Sequence, residues 1–202
     1  MKNRQYAEML SAATARLAGM DPARIAENTG GIYDPARNAI TLETFGEAVA
    51  LDCGDWRAIP ALEMWRHLVL LQYLAAADGS LPGERWIGMA EVPGGGESRG
   101  VSFDREIDRV IAARLGDCGL DDLKSACAKA GGVIQPNGRA DLSAVFRLAP
   151  RWPLLMNLWV ADDEFPASGK VLLNAAVCGC LGLEAAGTAA ALLVNRLSEL
   201  CE

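Results

Sequence analysis

Three consecutive carboxylates, Asp162, Asp163 and Glu164, follow an apolar run and precede Phe165 and Pro166 in the segment LWVADDEFPASGK. Oxygen donors so grouped can hold a hard cation such as magnesium or calcium, or divide into a general acid and a general base. Two unit charges about 4 Å apart repel by about 4 kcal/mol at an effective dielectric of about 20. Three carboxylates therefore converge only around a cation, a shared proton or basic partners. The alternative is that they splay into water, one of them forming an Asx-turn or cap ahead of Pro166.

The lone histidine, His67, lies four residues after Glu63, so on a helix the two share a face. That spacing suits a helix-surface pair, an imidazole positioned through its ring nitrogen, or two metal ligands. Of the six cysteines, Cys178 and Cys180 are the closest in sequence, and none forms a C-x-x-C pair. CGC is either a soft-metal or redox couple, or two small apolar residues in a packed turn. The run PGGGESRG lacks the Lys-Ser/Thr of a phosphate loop and the strand-to-helix setting of a dinucleotide fingerprint, so it reads as a mobile lid or plain loop rather than a nucleotide site. Trp86, in the same glycine-rich region, is an aromatic where a loop would use it as a lid or pocket wall.

These residues need elements to hold them. Tyr6, Leu10, Ala13 and Leu17 mark one helical face, and Asp21, Pro22 and Gly30 read as the N-cap, first turn and C-terminal stop of a second helix. Period-two runs on either side of Phe45-Gly46-Glu47 predict a hairpin. The stretch 62–78 is apolar nearly all round, as in a buried central helix. Residues 81–100 read as a long ordered loop, followed by an amphipathic helix beginning near Ser102 and a shorter one closed by Gly131-Gly132. LSAVFRL, PLLMNLWV and KVLLNAAV read as strands, the second apolar on both faces and therefore interior. A final helix carries Ala186, Ala190, Leu193, Leu197 and Leu200 on one side. Strands grouped in clusters among more numerous helices predict a helix-rich α+β single domain over 1–202 with a small, mainly antiparallel sheet.

At 202 residues the chain suffices for one core, and 51% hydrophobic with 22% charged residues is a globular composition. Nineteen basic against 26 acidic residues give a net charge of -7 with no basic stripe, which argues against nucleic acid as a partner. The absence of a long apolar run argues against a membrane, and with no signal-peptide pattern it predicts a cytoplasmic protein.

Two blocks resemble a prokaryotic family catalogued as domain of unknown function 3786, over about residues 25–200. One is Leu71, Tyr73, Leu74, Gly83, Glu84, Trp86, Pro93, Gly94 and Gly95; the other is Trp159, Asp162 or Asp163, Glu164, Phe165 and Pro166. The family pattern leads one to expect an aspartate where this chain has Asn174. The resemblance implies a setting in anaerobic bacteria and archaea near metallocofactor metabolism, by analogy with relatives that carry iron-sulfur segments. It implies no reaction, and it makes the two blocks candidate walls of one site, with Glu84, Trp86, Asp162, Asp163, Glu164 and Phe165 as ligand-binding candidates.

Three readings compete. The first is a binding or accessory protein that holds a small ligand or a protein partner between the Trp86 loop and the 162–166 turn, since no complete catalytic constellation is visible. The second is a metal-dependent enzyme using Asp163 and Glu164 as ligands or acid-base groups, with Glu84 or His67 completing the set. The third is a thiol redox or soft-metal protein using Cys178 and Cys180. The sequence names no cofactor.

Overall fold

The computed structural model describes residues 2–136 and 139–201, with the strands divided over two antiparallel sheets. Helix α1 (Lys2–Leu17) is followed by α2 (Pro22–Thr29), whose ends are those the sequence implies. Asp21 accepts the Ala23 N–H at 3.0 Å, and Gly30 closes the helix at φ 75°, a left-handed conformation without steric cost for glycine. The first sheet orders β1 (Ile32–Asp34), β2 (Ala39–Thr44), β3 (Glu47–Asp52) and β4 (Ala58–Ile59) consecutively. Thr44 and Glu47 are the last pair of the β2–β3 hairpin, so Phe45 and Gly46 form its tip, both at positive φ as a two-residue loop demands. Phe45 is buried, and its N–H donates to the Arg147 carbonyl at 2.8 Å.

Helix α3 (Met64–Ala76) buries Leu68, Val69, Leu70, Leu71, Tyr73 and Leu74, which fill successive positions around the axis. The second sheet has the order β5-β9-β8-β7-β6, from β5 (Trp86–Ile87), β6 (Val133–Ile134), β7 (Leu142–Ala149), β8 (Trp152–Trp159) and β9 (Ser168–Asn174). The doubly apolar β8 is the middle strand, as expected. One face presents Ala144, Phe146, Leu154, Met156, Val171 and Leu173, all buried, toward α4 (Gly96–Leu115) and α5 (Leu120–Lys129), and α6 (Leu183–Cys201) packs against both helices. At about 25 cal/mol per Å2 of apolar surface, each large side chain there contributes about 1.5–3 kcal/mol. Tyr73 joins the halves: its hydroxyl donates to the Thr29 carbonyl at 3.0 Å and its ring stacks on Trp152 at 5.8 Å.

The α+β class holds. Residues 81–100 are more structured than a loop: they contain β5, a 3-10 turn (Met89–Glu91) and the first turn of α4, which begins at Gly96 rather than near Ser102. The glycines there serve a close approach. A Cβ on Gly100 would stand 2.2 Å from the Ala90 Cα.

Arg66 of α3 is nearly buried and locks the hairpin to the helices. Its Nε donates to Thr44 Oγ1 at 3.2 Å, a terminal nitrogen donates to the Thr44 carbonyl, and another pairs with Glu47 at 2.8 Å. The other oxygen of Glu47 pairs with Arg196 of α6. The Arg66 guanidinium also lies over the Phe45 ring, 5.5 Å from its centroid. Among the described residues, no helix is long and apolar enough to cross a membrane.

Candidate functional site

The acidic turn connects β8 to β9 and is organised by its own backbone. Asp162 accepts the N–H groups of Glu164 at 2.9 Å and Phe165 at 2.7 Å, while its N–H donates to the Phe165 carbonyl at 3.0 Å. The Phe165 and Glu164 bonds hold the Asp162 carboxyl below the usual carboxylate range. Asp163, Glu164 and Phe165 are exposed. This is the Asx-turn that the sequence left open, with the charges splayed into water.

The two motif blocks do not meet as facing walls. Trp86 pairs with Asn174 at the far end of β9 from Ser168, where the acidic turn delivers the chain. Six residue steps along β9 separate the two ends by about 20 Å. Glu84 is exposed beside Trp86. Asn174, where an aspartate was expected, is buried; its oxygen accepts the Gly83 N–H at 3.0 Å and its amide donates to the Gly83 carbonyl at 2.7 Å. A carboxylate could accept the first bond but not donate the second. The asparagine thus pins the segment leading into Trp86.

Glu63 and His67 do not pair. Glu63 caps α3, accepting the N–H groups of Trp65 at 2.8 Å and Arg66 at 2.9 Å, while His67 Nε2 lies 2.7 Å from the Trp56 carbonyl. Among the described residues, no group of three His, Cys, Asp or Glu side chains is placed to hold one metal ion.

Cys178 and Cys180 occupy a 3-10 turn and donate to different carbonyls, Ala175 at 3.6 Å and Val177 at 3.0 Å. Burial raises both thiols, which disfavours the thiolate that redox exchange requires. A pair that sequence spacing hides is Cys118 and Cys201: burial, then a hydrogen bond with Cys118, pushes Cys201 up to about 12. Burial also pushes Cys127 to about 12 from an ordinary value of 9.0. A raised thiol pKa favours the folded chain fully below pH 9.0, and the contribution is lost as pH rises toward 12. At pH 8, a maleimide followed by mass mapping should leave Cys127 and Cys178 unmodified in the native protein and label all six cysteines in guanidinium; rapid native labelling of Cys178 would show that its turn opens.

A concave feature lies between the two motif blocks, on the face of the second sheet opposite the helices. The strand register sets Val133, Val145, Leu155 and Leu172 in one row across β6, β7, β8 and β9. A polar row, Ser143, Asn157 and Lys170, runs on one side of it, and Trp86 and Arg147 stand on the other. Trp86, Val145 and Leu155, all half-buried, line a hollow of about 390 Å3 together with Ser143, Gln135 and Arg147. Ser143 Oγ donates to Asn157 Oδ1 at 2.7 Å, so one wall is already ordered. An aliphatic floor, an indole and a few placed polar groups make a surface suited to binding a small molecule.

The family model described as domain of unknown function DUF3786 matches residues 21–196. The chain belongs to this family. The DUF3786 match takes in both sheets, α2 to α5 and most of α6, so the hollow and the acidic turn both lie within the family's domain. No curated protein and no solved structure matches the chain.

Proposed function

We propose that this DUF3786 protein is a cytoplasmic, non-catalytic binding protein whose ligand lies on the open face of the second sheet, between Trp86 and the acidic turn. The observation that carries this reading is the hollow of about 390 Å3, which combines a half-buried aliphatic floor with an aromatic wall. Its volume is at the lower end of the usual range of about 300–1,000 Å3 for small-molecule pockets. Asn174 supports the reading, because a buried amide fixes the segment that presents Trp86 and so limits the cost of ordering the wall on binding.

Phenylnaphthylamine, an uncharged aromatic whose fluorescence rises on leaving water, is a suitable probe. The wild-type protein should bind one equivalent saturably. Trp86→Ala should weaken binding about ten-fold, given about 1 kcal/mol or more for an aromatic contact beyond area. Val145→Thr, nearly equal in volume, should weaken it without disturbing the strand. Absence of saturable binding, or equal affinity in all three proteins with unchanged melting curves, would remove the hollow as the site.

A further inference from the structure

Along the open face of the second sheet, the charged residues are Arg147 of β7 and Lys170 of β9, and none of the strand residues that share the face is acidic. This is unusual in a chain whose net charge is -7. Elsewhere the arginines that border hollows have partners: Arg16 and Arg151 donate to backbone carbonyls, and the others pair with carboxylates. Arg66 and Arg196 share Glu47, and Arg99 pairs with Glu184. Arg147 differs: its side chain is exposed at the rim of the hollow, and among the described residues nothing pairs with its guanidinium. Its backbone is fixed independently, because the carbonyl accepts the Phe45 N–H at 2.8 Å next to an irregularity in the β7–β8 register. The head group is therefore free while its base is held.

We propose that the hollow takes a small organic anion, its flat apolar body lying on Val145 and Leu155 beside Trp86 and its negatively charged head group meeting the Arg147 guanidinium. A guanidinium matches the planar oxygens of a carboxylate, sulfonate or phosphate through two parallel N–H bonds, and such charge-assisted bonds are stronger than neutral ones. The aliphatic row excludes water from one side of the pair, which strengthens it further. Lys170, across that row, raises the local potential without lining the hollow.

This inference rests on the binding reading above, and its test separates the two. Anilinonaphthalene sulfonate and phenylnaphthylamine share one ring system and differ by the sulfonate. Each is titrated into wild type, Arg147→Gln and Lys170→Gln at low and moderate salt. Arg147→Gln should weaken the sulfonate about ten-fold and flatten its salt dependence, while changing the uncharged probe less than about two-fold. Lys170→Gln should have the smaller effect on the sulfonate. If both probes bind the wild type and Arg147→Gln shifts neither, or if the loss follows Lys170→Gln instead, the anion assignment to Arg147 is overturned while the hollow stands. If neither probe binds, both readings fall.

Discussion

Gly100→Ala should destabilise the protein by about 2–4 kcal/mol, although alanine is the better helix former by about 1 kcal/mol. The added Cβ would stand 2.2 Å from the Ala90 Cα, 2.4 Å from its nitrogen and 2.5 Å from the Met89 carbonyl oxygen. These are backbone atoms, so no rotamer change relieves the clash; α4 must slide or tilt away from the Met89–Glu91 turn. Met89 is fully buried and Val92 nearly so, and either movement loosens their packing. Because the turn follows β5 directly, Trp86 should also shift, and probe affinity should fall with stability. Gly179→Ala is the control: nothing lies within 4 Å of its added Cβ, so a change within about 0.5 kcal/mol is expected. Urea unfolding midpoints compare the two, and wild-type stability in Gly100→Ala would mean that α4 does not pack this closely.

Glu47→Ala should cost about 2–3 kcal/mol. The carboxylate sits between Arg66 and Arg196, and its removal leaves Arg66 without its anion and Arg196 with only the longer contact to Glu199 at 3.7 Å. Breaking a fully buried pair costs about 3–5 kcal/mol. The Glu47 side chain is 43% exposed, so water recovers part of the loss; Arg66, with 11% of its side chain exposed, cannot be rehydrated without moving α3 or the hairpin. The double variant Glu47→Ala/Arg196→Met should be more stable than Glu47→Ala alone, since it removes the like charge that faces Arg66 once Glu47 is gone. Additive costs in that comparison would show that the three side chains act separately.

The β2–β3 hairpin, the α2 caps and the interior position of β8 were legible because each rests on a local rule: alternation, a side-chain cap, or apolarity on both faces. The start of α4 was not. Its glycines read as loop residues, whereas Gly100 is required by contact with a turn about ten residues earlier in the chain. Strands β4, β5 and β6 have two residues each, too few for any periodicity to register. The acidic turn drew attention through its composition, but carboxylates in a row say nothing about convergence, and Asp162 bonds to its own turn. The hollow was hidden for a different reason. Val133, Val145, Leu155 and Leu172 become neighbours only through strand register, and residue spacing along the chain does not encode which strands pair. Trp86 stood out as an aromatic among glycines, while Arg147 had no signal at all: its distinction is a guanidinium at the rim of the hollow without a partner among the described residues, which appears only in three dimensions.

Both outer strands of the second sheet, β5 and β6, are only two residues long, and Pro136 follows shortly after β6. A strand of another molecule adding to either side would find about 7 Å of template, too short to seed a continuous ladder. Val133 and Ile134 can therefore remain 54% and 48% exposed at the sheet margin without inviting polymerisation. The stunted borders let the protein keep an apolar face open to water at high concentration, a condition that any receptor of small hydrophobic molecules must meet in a crowded cell.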